Sequence, residues 1–215
     1  MPAPSRKQAS GYRKHEILDA ALRCFLKHGV EATTIEQIRQ ASGASLGSIY
    51  HHFGSKEAIA LAVYAGAVQE YQGHVLARLR AANSAQAGVR AMVAAHLEWT
   101  EANANLSLYL TRVEMADGSR PTAGRIAELL QTFFQAVYDW FQPFIETGEM
   151  KRVAPALYVP LVLGPTSSFA RHWLAHRLAL DMSEVAETLA ESAWNSLRND
   201  TLRSDNGIDH RPSGR

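Results

Sequence analysis

Apolar positions recur at three- and four-residue intervals along most of the chain. Ile17, Leu18, Ala21, Leu22, Phe25 and Leu26 keep helical spacing, which predicts a first helix over 12–28 that stops at Gly29. Thr33 or Thr34 is placed to cap a second helix with Ile35, Ile38 and Ala41 on its inner face, and Glu36 and Gln37 stand where capping-box contacts form. That helix stops near Ser42 and Gly43. Ser45 caps a third, short helix with Leu46, Ile49 and Phe53 facing inward, and Gly54 closes it. Three short helices in about 45 residues, the last two joined by a tight turn at Gly43, form a helix-turn-helix. Beyond it the pattern predicts helices over 56–81, 85–102, 104–116, 121–147, 155–179 and 183–200. Breaks fall at 82–84, Asp117-Gly118, Gly148 and Asp181. The fold class expected is all-α: a three-helix head followed by a helical bundle, about nine helices in all.

Composition narrows this further. With 215 residues, 47% of them hydrophobic, the chain can bury a substantial core as one domain or two small ones. No run approaches the roughly 18 apolar residues of a membrane span, and the first residues lack the apolar block of a secretory signal, so a soluble cytoplasmic protein is expected. The single cysteine, Cys24, excludes an internal disulfide framework and reads as a small core side chain. Charge is divided unevenly. Residues 1–56 carry eight basic against four acidic residues, net +4, while the remainder carries 14 against 17, net −3. A small basic head on a mildly acidic body points to a polyanion as partner of the head.

The third helix concentrates the candidate chemistry in SLGSIYHHFGSK, residues 45–56. With Ile49 and Phe53 inward, Ser45, Gly47, Ser48, His51 and His52 lie outward. Short side chains let a helix axis approach the floor of a major groove, where hydroxyls and imidazoles reach bases or phosphates. Tyr50 and Lys56 suit phosphate on the flanks, and Ser55 can cap the next helix. Adjacent histidines diverge by about 100° on a helix and do not readily chelate one metal. A catalytic histidine wants a nucleophile or an orienting carboxylate, and the residues of this stretch offer only serines without an acid partner. Ordinary surface polarity remains an alternative from spacing alone.

The stretch TTIEQIRQASGASLGSIYHHFGSKEAIALAV resembles the DNA-binding head of the TetR family of bacterial one-component regulators. Thr33, Thr34, Gly43, Tyr50, His52, Phe53 and Lys56 carry the resemblance, which covers about 50 N-terminal residues; Arg39 and Ile59 depart from the family pattern. It implies that Thr34, Ser45, Leu46, Gly47, Ser48, Tyr50, His51, His52 and Lys56 meet DNA. Of these, Thr34, Tyr50 and Lys56 would grip phosphates. Residues 2–13 would add a basic arm, and Arg39 would extend the basic face. The implied organisation is a DNA-binding domain at 1–56, a ligand-binding and dimerisation domain at 57–200, and a disordered tail at 201–215.

The body is rich in aromatic residues, with polar side chains among them. Core packing accounts for many of them. The resemblance implies an effector site in this region, for which the candidates are Trp99, Tyr109, Arg112, Phe133, Phe134, Trp140, Phe141, Thr166, Phe169 and His172. Pro160 and Pro165 predict a late start or kink in the penultimate helix. The family likeness assigns the last two helices to a twofold interface through Phe169, Trp173, His176, Val185, Leu189, Ala193, Trp194 and Leu197. His172 and His176 have a zinc-compatible spacing; no nearby Cys supplies a third ligand, although Asp181 and Glu184 are not far along the chain, and with packing or interface hydrogen bonding favoured, no metal and no cofactor are expected. Motifs for phosphate loops, nucleophile elbows and zinc proteases are absent. The expectation is a homodimeric, ligand-responsive repressor, not an enzyme, with a palindromic DNA operator and a small apolar or aromatic effector as partners and no membrane association. A helical ligand-scavenging protein and a helical enzyme using His172 are the alternatives.

Overall fold

The computed structural model describes residues 6–115, 123–176 and 178–199; the expected tail at 201–215 lies outside them. Its helices are α1 (Arg6–Ala32), α2 (Ile35–Ser42), α3 (Leu46–Phe53), α4 (Lys56–Arg80), α5 (Ala85–Ala102), α6 (Ala104–Met115), α7 (Ala123–Glu146), α8 (Tyr158–His176) and α9 (Met182–Leu197). The all-α expectation holds, with boundaries close to those read from spacing. Two differences stand out. Backbone from Arg6 onward is already helical, where a basic arm was expected through residue 13. Gly29, at φ 79° and ψ 160°, interrupts α1 where an end was expected, yet helical geometry resumes to Ala32.

Two compact units divide the described residues. The first comprises residues up to Gln72 together with Thr100–Leu129, and the second Gly73–Trp99 with residues from Leu130 onward. In the first unit, α1, α2, α3, the first part of α4 and α6 share one core, built on Ile17, Phe25, Ile38, Ile49, Ile59 and Tyr109. Phe25 and Tyr109 stack with ring centroids 5.9 Å apart, and the Tyr109 hydroxyl donates to the Ala60 carbonyl at 3.0 Å. Arg112 donates to the Leu26 carbonyl at 2.6 Å. Helix α6 is thereby fastened to the head by groups some 50 to 86 residues away in sequence. Cys24 is buried in this core, and burial raises its thiol pKa.

In the second unit, Phe133, Val137, Phe141 and Ile145 form the buried i, i+4 stripe of α7. Phe141 stacks on the buried Tyr158 ring, whose hydroxyl donates to the Lys151 carbonyl at 2.9 Å. Gly88 of α5 lies under the Trp140 indole: a Cβ built on it would stand 2.3 Å from a ring carbon. Helix α8 starts at Tyr158, so Pro160 occupies its first turn, where a missing N–H costs little, while Pro165 sits inside the helix. Helix α9 is capped by Asp181, whose carboxylate accepts from the Ser183 N–H at 2.8 Å. Its Ala190 and Ala193 are buried, as is Leu197.

Candidate nucleic-acid interface

Local chemistry fixes the α2–α3 corner. Thr34 accepts from the Gln37 N–H at 3.2 Å while the Gln37 side chain accepts from the Thr34 N–H at 2.8 Å, a reciprocal capping box. Thr33 has the other task. It is buried and donates to the Gly29 carbonyl at 2.6 Å, closing the end of α1. Gly43 ends α2 in the left-handed region, at φ 63°, where any side chain would be strained. Ser45 then caps α3, accepting from the Ser48 N–H at 3.1 Å, and Ser55 caps α4 in the same way. Ile49, 1% exposed, anchors α3 to the core, with the half-buried Phe53 packed against the same cluster.

The opposite side of α3 is open. Ser45, Gly47, Tyr50 and His51 are exposed, as is Thr34 at the start of α2, while Ser48, His52 and Lys56 are half-buried. A methyl group added at Gly47 would meet nothing within 4 Å. Nothing in the fold therefore demands glycine there, and a glycine in a helix interior costs about 1 kcal/mol relative to alanine. The face combines hydroxyls, imidazoles and a phenol with a bare backbone, the donor and acceptor set that major-groove edges and phosphates take.

Three side chains depart from expectation. Leu46, placed inward by spacing and among the DNA-facing residues by the resemblance, is 46% exposed: it shares the angular stripe of Ile49 and Phe53, but as the first helical residue it lies beyond the core cluster in which they pack. Lys56 donates to the Glu31 carbonyl at 2.7 Å, so its ammonium also closes the end of α1. Arg39 forms two 2.7 Å hydrogen bonds to the Glu36 carboxylate, so part of its charge is met locally instead of extending a basic face. The same bonds, with a smaller contribution from Gln40, hold the Glu36 pKa down to about 2.

Residues 17–63 match the family model described as bacterial regulatory proteins, tetR family. The head of the chain is therefore of the tetR-family type. Relatives include the transcriptional repressor AcnR of Corynebacterium efficiens, 48% identical over 50 residues, 23% of this chain and 27% of that one. The repressor KstR2 of Rhodococcus jostii is 32% identical over 102 residues, 47% of this chain and 50% of its own length. These curated relatives are thus matched over half their length or less. The solved FadR of Bacillus subtilis, in complex with stearoyl-CoA, shares the fold with a TM-score of 0.72 at 18% identity, over 83% of this chain and 96% of that one.

The candidate effector residues fall in both compact units. Tyr109 and Arg112 belong to the unit that contains the head, where their polar groups tie α6 to α4 and α1. Trp99, Phe133, Phe141 and Thr166 are buried in the other unit, Phe134, Trp140 and Phe169 are half-buried there, and His172 is exposed. Among the candidate interface residues, Trp173, Ala193 and Leu197 are buried within the chain itself. Phe169, Val185, Leu189 and Trp194 are half-buried, and His176 is exposed, its ring 4.4 Å from that of His172. Among the described residues no group of three or more histidine, cysteine, aspartate or glutamate side chains could hold a metal ion. Nor is any described helix long and apolar enough to cross a membrane.

Sequence reasoning missed His96 of α5. Burial, reinforced by the positive charge of Arg171, lowers its pKa from 6.5 to about 4. Its place in an apolar helical run gave no signal, since the guanidinium lies 75 positions along the chain.

Proposed function

We propose that this chain is a homodimeric transcriptional repressor that grips a palindromic operator through the outer face of α3 and releases it when a small, largely apolar molecule binds its C-terminal part. The single observation that carries the reading is that outer face: exposed Ser45, Gly47, Tyr50 and His51 on a helix held from behind by Ile49. Residues 1–56 would supply the DNA contacts, and residues 57–200 the effector site and the dimer contacts. One small head buries little surface on DNA, whereas two related by a twofold axis reach successive major grooves about 34 Å apart. FadR, with its bound stearoyl-CoA, supports an apolar effector for this fold, and the aromatic residues of α7 and α8 are the candidates to receive it. A ligand binding the released form tenfold more tightly shifts the equilibrium by about 1.4 kcal/mol per site.

Selection of duplexes from a random pool by the purified chain tests this reading. The outcome expected is an enriched inverted repeat whose affinity falls steeply with salt and is lost in Tyr50→Ala. Failure to enrich any sequence would overturn the repressor and leave a ligand-binding protein in its place.

A further inference from the structure

Leu46 is an exposed aliphatic side chain on α3 that neither capping nor core packing nor charge accounts for. Its side chain is 46% exposed, and it stands apart from the core cluster that takes in both Ile49 and Phe53. As the first residue of α3 it follows the capping Ser45 and precedes Gly47, whose missing Cβ leaves the backbone beside it bare. An isobutyl group in that position gains nothing from water. If the face enters a major groove, the first residues of the helix stand closest to the base edges. The groove offers hydrogen-bonding atoms at every base pair but only one apolar group in unmodified DNA, the C5 methyl of thymine.

We propose that Leu46 reads a thymine, packing its side chain on the C5 methyl group at one fixed position in each operator half-site. This rests on the DNA-binding reading above and adds to it the identity of one base and the group that recognises it. Gly47 has a matching part, because a side chain there would hold the helix away and lift Leu46 off the methyl.

Deoxyuridine differs from thymidine only by that methyl, so it isolates the contact. The operator recovered by selection is resynthesised with each thymine in turn replaced by deoxyuridine in both half-sites, and affinity is measured at one salt concentration. One thymine is expected to stand out, its replacement weakening binding about fourfold per half-site, as expected for one methyl group removed from an apolar contact. In Leu46→Ala, which changes an exposed side chain and is checked for retained helicity by circular dichroism, the same replacement is expected to cost less than twofold. The inference is overturned if no thymine responds, or if the response persists undiminished in Leu46→Ala. An operator that binds tightly but ignores the methyl would sink Leu46 alone, whereas failure to recover any operator would sink the DNA-binding reading itself.

Discussion

Two glycines in this chain do opposite things, and alanine separates them. At Gly47 the space above the backbone is empty and the conformation is helical, so Gly47→Ala is expected to raise stability by about 0.5–1 kcal/mol through helix propensity alone. The same methyl would stand between α3 and DNA, and operator affinity is expected to fall at least about tenfold. Paired urea titrations and anisotropy measurements check both halves; a stabilised variant with parental affinity would mean that the bare backbone serves no partner. His96 makes a second expectation at this scale. Its folded-state pKa, about 4, lies below the ordinary 6.5. Between those values the unfolded chain takes up the proton and the folded chain does not, so stability contributed by neutral His96 is complete above pH 6.5 and drains away as pH falls toward 4. Unfolding free energies from urea titrations between pH 7.5 and 4.5 should therefore drop more in the parent than in His96→Asn, by on the order of 2 kcal/mol. Equal slopes would show that this imidazole does not set the acid limb.

Where helices cross, the second glycine matters. A Cβ at Gly88 would lie 2.3 Å and 2.4 Å from two Trp140 ring carbons and 3.1 Å from Leu79. An indole has no flexible end to withdraw. Gly88→Ala is accordingly expected to destabilise by about 1–3 kcal/mol even after the propensity gain. In a Trp140→Leu background the sign should reverse, because the obstructing ring is gone; a Gly88→Ala chain more stable than its parent would contradict the close crossing of α5 and α7. This crossing was not legible in the sequence, while the helices themselves were. Thr34, Gly43, Ser45, Gly54 and Ser55 are punctuation that acts within three or four residues, so spacing finds it. The Lys56 bond to Glu31, the Tyr109 bond to Ala60 and the Arg112 bond to Leu26 join residues 25, 49 and 86 positions apart, and nothing local announces them. Leu46 was read both ways, inward from spacing and toward DNA from the resemblance, because an apolar residue at a helix start matches an inner-face pattern equally well; in the structure it is exposed and outside the core cluster.

For the molecule as a whole, the recurring theme is that α3 is held from inside and left bare outside. Ile49 is 1% exposed, Thr33 and Lys56 close the end of α1 behind it, and α6 is fastened to the same core. Such a scaffold orients one reading helix; a palindrome requires two. Helices α8 and α9 already bury Trp173, Ala193 and Leu197 against their own chain, so a partner would have to be met by the half-buried Phe169, Val185, Leu189 and Trp194 and by the exposed His176. The most direct measurement is the mass of the complex formed on the selected duplex, by sedimentation at salt concentrations where binding is tight. Two chains per palindrome, and no stable complex with a single half-site at the same concentration, is the result predicted. One chain bound per duplex, with equal affinity for half-site and palindrome, would contradict it.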